Sequence, residues 1–143
     1  MPYEILPTTA DFAVKGWGKT LEELFSAIAY GMFAGSCGCE ISAEKARNEG
    51  VASEIAVEGT DNESLLINFL SELIYLYNVE HKFYWAFELV IVRSEATNQS
   101  RLSGKAYGLP AEQVSAELKA ATYHNLKVVE SKKGWQATVV FDI

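Results

Sequence analysis

The chain has 143 residues, 49% of them apolar and 12% aromatic, and a net charge of −7 from 12 basic and 19 acidic side chains. This excludes a disordered chain and suits a single domain, residues 1–143, long enough to bury a core without a disulfide framework or a structural metal. Residues 1–72 carry 12 acids and 4 bases against 7 and 8 in residues 73–143, so strong direct nucleic-acid binding is not expected and a basic protein partner fits better.

Residues 3–6 and 12–17 read as two short strands around the turn Pro7-Thr8-Thr9-Ala10-Asp11. Thr20-x-x-Glu23 is a capping box, a threonine oxygen and a glutamate carboxylate each satisfying a free amide at a helix start. Leu21, Leu24, Phe25, Ile28, Ala29, Met32 and Phe33 then form one apolar stripe, and Gly35 is the expected helix end. Residues 41–49 are polar and read as irregular, and 51–58 alternate as a strand with Ser53, Ile55 and Val57 on one face.

Asp61 or Asn62 caps a second helix through about Tyr77, with Leu65, Leu66, Phe69, Leu70, Leu73, Ile74 and Tyr77 inward and Glu63 and Glu72 off that stripe. Residues 83–92 are aromatic and β-branched enough for a central strand, and 100–107 form another. Pro110 to Val114 reads as a turn or short helix, Leu118 to Val129 as a strand on the weight of Thr122, Tyr123, Val128 and Val129 although Lys119-Ala120-Ala121-Thr122 could extend a helix, Lys132-Lys133-Gly134 as a hairpin turn, and Trp135 to Phe141 as the last strand. The expected fold is α+β, two helices packed on an antiparallel or mixed sheet.

No run approaches the roughly 18 apolar residues of a membrane span, and the N-terminus lacks the basic-then-apolar plan of a signal peptide, so no membrane association and a cytoplasmic location are expected. Cys37 and Cys39 form a Cys-x-Cys without the second ligand pair a thiolate metal site needs. A disulfide between them would close a small strained ring, so they are expected as two free thiols in a loop.

Phosphate-loop, Gly-x-Ser-x-Gly and His-Glu-x-x-His motifs are all absent. Three candidate partner-contacting residues remain, each beside an ordinary alternative. Glu72, in an otherwise apolar helix, is either a surface carboxylate or a contact to a basic partner. His124 is a hydrogen-bonded structural residue or a partner contact. Lys119 lies among Arg93, Arg101 and Lys127 mixed with acids, the composition of a solvated face.

The sharper candidate is the pair of acidic ends, Asp11 in the first turn and Asp142 one residue from the α-carboxylate of Ile143. Ordinary roles exist for both, as a turn former and a solvated strand end. Yet Asp11 lies between Ala10 and Phe12, and Asp142 between Phe141 and Ile143, where a carboxylate is costly unless paired or metal-bound. Brought together, these oxygens form a hard-cation site.

Several separated motifs make the chain resemble the archease family over nearly its whole length: Thr9-Ala10-Asp11, Gly18-Lys19-Thr20-Leu21-Glu22-Glu23, Glu63-Ser64-Leu65-Leu66 through Glu72-Leu73, Lys119-Ala120-Ala121-Thr122-Tyr123-His124 and the closing Phe141-Asp142-Ile143. The resemblance implies a cytosolic accessory protein, itself no enzyme, that promotes guanylylation and multiple turnover of a tRNA-splicing RNA ligase and broadens its nucleotide use. It also implies a divalent metal, usually calcium, held by Asp11, Asp142 and a backbone or carboxylate oxygen of Ile143. The family's first turn usually reads His-Thr-Ala-Asp, and Thr8 stands at the histidine position here. Ligation through Asp11 survives that change, whereas the histidine's own contacts do not carry over. Two further functions are weighed: a chaperone-like modulator of a tRNA-modifying enzyme such as a methyltransferase, and a metal-dependent hydrolase, which lacks a recognisable base.

Overall fold

A computed structural model describes residues 2–7, 11–111 and 118–142. Thr8, the interior of the 110–114 turn and Ile143 therefore lie outside the described residues. Five antiparallel strands, β1 (Tyr3–Pro7), β2 (Phe12–Gly18), β6 (Ala120–Thr122), β7 (Val129–Ser131) and β8 (Gly134–Asp142), form one sheet in the order β1-β2-β8-β6, with β7 also paired to β8. A second antiparallel sheet, β3 (Val51–Gly59), β5 (Gln99–Pro110) and β4 (Lys82–Ser94), has the order β3-β5-β4. The helices are α1 (Leu21–Cys37), α2 (Ala43–Glu49) and α3 (Asn62–Glu80).

The α+β class is as expected, but the described strands divide between two sheets and α2 is a third helix. The segment 41–49 is helical because the Ser42 hydroxyl accepts the Lys45 amide at 3.1 Å and Ala46 is buried. One buried residue is too little to write an apolar stripe. The capping box forms as read: Thr20 Oγ1 accepts the Glu23 amide at 3.1 Å, and Glu23 Oε2 accepts the Lys19 and Thr20 amides at 2.7 and 3.4 Å.

Helix α1 passes Gly35 and ends at Gly38, whose φ of 64° suits glycine and whose amide donates to Ala34 O at 2.9 Å. Gly35 serves close approach instead, since a Cβ there would sit 2.8 Å from the Phe12 ring. The chain reversal at Gly38 brings the Cα atoms of Cys37 and Cys39 to 5.2 Å, and the two are joined in a disulfide. The expectation of free thiols is thereby corrected: a left-handed glycine between the cysteines supplies the turn that closes the small ring.

Helix α1 packs on β2 through Val14 and Ile28, and on β4 through Phe33, which meets the rings of Phe83, Tyr84 and Trp85. Helix α3 lays its expected stripe against β3, and Phe69 stacks on Phe25 at 5.9 Å between centroids. The 83–92 strand is an edge, with β5 at the centre; its aromatic half, Phe83–Phe87, is buried by the helices that cover it rather than by strands on both sides. Between Leu118 and Val129 only Ala120–Thr122 and Val129 pair as strand, because Asn125 takes a φ of 52° in a turn closed by Leu126 N to Tyr123 O at 3.0 Å. No helix among the described residues is long and apolar enough to cross a membrane.

Gly104, in mid-β5, has a φ of 153°, and a Cβ there would collide with Glu88 O. Gly104→Ala is expected to lower the unfolding free energy by about 3 kcal/mol, combining backbone strain with overpacking. Gly38→Ala, with no neighbouring atom within 4 Å, should cost about 1 kcal/mol from its left-handed backbone alone. Urea unfolding of the two variants measures the difference.

Candidate functional site

The sheet that joins the chain's ends sets the geometry of the acidic pair. β2 runs antiparallel to β8 from Gly18↔Trp135 to Phe12↔Phe141. Asp142 is the next residue of β8 and Asp11 the residue just before β2, so both acids adjoin the last pair of this register. Phe12, Val14 and Gly16 face α1, where they meet Gly35, Gly31 and Ile28. Strand alternation turns Asp142 to the face away from α1, with Val140 and Thr138, and Asp11 stands in the bend that leads into β2. Asp142 is exposed and Asp11 half-buried, and Asp11 has interactions of its own.

Opposed residues of an antiparallel pair have Cβ atoms about 5 Å apart, and like charges so placed repel. A hard cation between them would reverse that repulsion, and two carboxylates are part of the six to eight oxygen ligands that calcium takes. The chemistry of this donor pair therefore fits a divalent ion. Among the described residues no group of three or more His, Cys, Asp or Glu side chains is placed to hold a metal, and Ile143 lies outside them. Two carboxylates adjoining this register are not a complete cage of described side chains.

Lys119 comes to this same corner, its amide donating to Asp142 O at 3.0 Å as β6 begins with Ala120↔Asp142. His124 does not. It lies in the turn beyond the other end of β6, four residues from Ala120 and roughly 13 Å along the strand direction. It is exposed, its amide donating to Thr122 Oγ1 at 3.4 Å and its Nε2 lying 3.3 Å from Asn125 Nδ2. Glu72 is half-buried in α3, the helix that packs against β6.

Two other carboxylates have clearer structural partners than Glu72. Glu63 Oε2 accepts the Val128 amide at 2.8 Å, and Glu22 Oε2 accepts the Ile91 amide at 3.3 Å. Each ties the first turn of a helix to backbone far away in sequence. Between them opens a cleft of about 510 Å³ lined by Leu21, Asp61, Glu63, Ile91, Arg93 and Trp135, among others. Its polar groups are engaged: Arg93 donates to Thr60 O at 2.7 Å and Ser100 Oγ at 3.2 Å, and Asp61 Oδ1 accepts the Ser64 amide at 2.7 Å. The Ser64 backbone and hydroxyl hold the Asp61 carboxyl below its ordinary range. The cleft is thus a hydrogen-bonded seam between the sheets. In the sequence Glu22 and Glu63 look like acids favoured at helix starts, and only the tertiary fold reveals their long-range partners.

Across residues 3–143 the chain matches the Archease protein family (MTH1598/TM1083). It is similar to the protein named archease of Methanosarcina mazei, 36% identical over 144 residues that cover 99% of this chain and 95% of that protein. It is also similar to that of Pyrococcus furiosus, 37% identical over 140 residues and 94% of each. Its fold resembles the solution structure of protein 1598 of Methanobacterium thermoautotrophicum, with a TM-score of 0.71 and 23% identity over 99% of this chain and 98% of that one. A second likeness is the crystal structure of an archease, described as a possible chaperone, from Thermotoga maritima, with a TM-score of 0.58 and 21% identity over 96% and 94% of the two chains.

Asp61 offers a test of the seam beside these helix starts. Its folded carboxyl titrates below the ordinary value of 3.8, so its stabilisation is present above that value and is lost as pH falls through the lower, folded one. Asp61→Ala should cost about 1 kcal/mol at neutral pH. Asp61→Asn keeps the cap without the titration, and acid unfolding of this variant should show a shallower loss of stability below about pH 4.

Proposed function

This chain belongs to the archease family, and we propose that it is a non-catalytic accessory protein that activates a tRNA-splicing RNA ligase. In this reading it promotes guanylylation of the ligase's active-site histidine and supports multiple turnover in the cytoplasm. The observation that supports it most is the β2–β8 register, whose last pair, Phe12↔Phe141, adjoins Asp11 on one strand and Asp142 on the other. Such a pair of acids has no need to exist for the core, which is complete at Phe12 and Phe141.

Asp11 and Asp142 would hold the divalent ion, calcium by its oxygen chemistry, with an oxygen of Ile143 as a further donor. Bound there, the ion would cancel the repulsion between the carboxylates and fix the charge of the corner. The chain's own residues do the rest. Lys119, anchored through its backbone to Asp142, adds an exposed cation to this end of the sheet. Glu72 on α3 and His124 beyond β6 supply further contacts to the ligase, and the acidic N-terminal half favours a basic docking face. Thr8 in place of the family's histidine leaves Asp11 as the ligand from that turn. A second reading takes its support from the description of the Thermotoga relative as a possible chaperone: a modulator of a tRNA-modifying enzyme such as a methyltransferase. The enzyme retained on co-purification separates the two.

Ligation with limiting ligase and GTP, with and without this protein, tests the reading directly. Guanylylated ligase and product beyond one turnover are expected to rise, and absence of any gain would sink the assignment. Asp142→Ala, an exposed strand-end change expected to alter stability by no more than about 0.5 kcal/mol, should lose calcium binding and activation together. Activation without calcium binding would detach the metal from the function.

A further inference from the structure

We propose that Cys37 and Cys39 form a reversible thiol–disulfide exchange site, open to dithiol reductants, whose redox state sets the position of the connection between α1 and α2. A disulfide stabilises a fold mainly by closing a loop in the unfolded chain, and the effect grows with loop length. A separation of two residues constrains almost nothing beyond its own turn, so the link is no structural staple of the core. Its effect is local: it fastens segment 38–40 to the last turn of α1.

Cys39 is exposed and Cys37 half-buried, so an incoming thiolate reaches the Cys39 sulfur first. The Cys39 amide points at Cys37 Sγ at 3.1 Å, a donor that stabilises negative charge on that sulfur, whereas Glu40 and the negative end of α1 oppose it. The geometry makes Cys37 the leaving group. In the exchange, a reductant thiolate forms a bond to Cys39 Sγ, the Cys37–Cys39 bond breaks, and its electron pair departs on Cys37 Sγ, which takes a proton. The second thiol of the reductant then attacks its own sulfur in the mixed disulfide and releases Cys39. The protein gains two electrons and two protons, and the dithiol becomes a disulfide.

Cys39 borders two clefts, one with Tyr3, Ile5 and Ala34, the other with Phe83, Trp85 and Leu109. Burial and Glu40 push the Tyr3 phenol up to about 12, so Tyr3 stays neutral on this wall. Past the disulfide, the connection is held by Tyr30, whose hydroxyl donates to Ile41 O at 2.7 Å. Opening the disulfide leaves this bond, the Gly38 amide's bond to Ala34 O and the Tyr3–Glu40 contact as the ties of the segment, and frees the Cys39 side chain to part from Cys37 between the clefts.

The full chain is equilibrated in buffers of reduced and oxidised dithiothreitol, quenched with an alkylating agent and weighed by mass spectrometry. Two alkyl groups per chain should appear on reduction and disappear on reoxidation. Hydrogen exchange at residues 38–41 should accelerate on reduction while the core is unchanged. With oxidised glutathione, Cys39 in Cys37→Ser should form a mixed disulfide about tenfold faster than Cys37 in Cys39→Ser. The proposal is overturned if the link stays closed under dithiol that fully reduces a Cys-Gly-Cys peptide, if it does not re-form, if exchange at 38–41 is unaltered, or if the reactivity order is reversed.

Discussion

The antiparallel pairing of β2 with β8 is the constraint on which the rest of the structure depends. It joins residues 12–18 to residues 135–141, nearly the full length of the chain apart, and gives α1 a floor. Phe12 and Phe141 stack at 5.3 Å between centroids, and Val14 and Val139 are wholly buried. A slip of one residue would turn these side chains to the opposite face and carry Asp11 and Asp142 toward α1. The energy of burying Phe141, on the order of 2–3 kcal/mol, to which half-buried Phe12 adds, is far larger than the repulsion of two carboxylates at a sheet end. Core packing therefore decides the register, and the acidic pair is carried into place by it.

The other sheet serves as a counterweight to this one. Aromatic side chains of β4 enclose Phe33 of α1, and Phe25 meets Phe69 of α3, so both sheets share one core. At its open side the seam is closed by hydrogen bonds instead of apolar contact. Glu22 and Glu63 each place a carboxylate at a helix start, where the dipole favours it, and accept an amide from a distant segment. These bonds hold edge backbone that no strand pairs. The resulting body presents its acidic corner at one end of the first sheet and the Cys37–Cys39 turn at the C-terminal end of α1, where Gly35 packs against Phe12. The two features therefore lie toward the same end of that helix and sheet.

Much of this was legible from the residues. The Thr20 capping box, the α3 stripe beginning at Leu65 and the alternation of β8 from Trp135 to Phe141 are local patterns, and they appear as read. The misreadings share a different cause. The end of α1 moved from Gly35 to Gly38 because packing against Phe12 competes with helix ending as a reason for glycine, and sequence does not distinguish them. Helix α2 buries one residue, too few for periodicity. The division into two sheets depends on which strands meet across tens of residues. For the candidate site, the sequence offered two carboxylates at opposite ends of the chain, and the β2–β8 register joins their neighbours Phe12 and Phe141. The roles of Glu22 and Glu63 were invisible because their partners are backbone amides, which every sequence possesses.

The central claim is that Asp11 and Asp142 form one cation-binding pair. Its most direct measurement is the unfolding free energy of the native chain and of Asp142→Asn, each in chelator and in saturating calcium. In chelator the substitution should relieve repulsion and be neutral or slightly stabilising, by a few tenths of a kcal/mol. In calcium the native chain should gain stability with rising calcium while the variant does not, so that the sign of the substitution's effect reverses. Equal calcium responses in the two proteins, or none in either, would contradict the account.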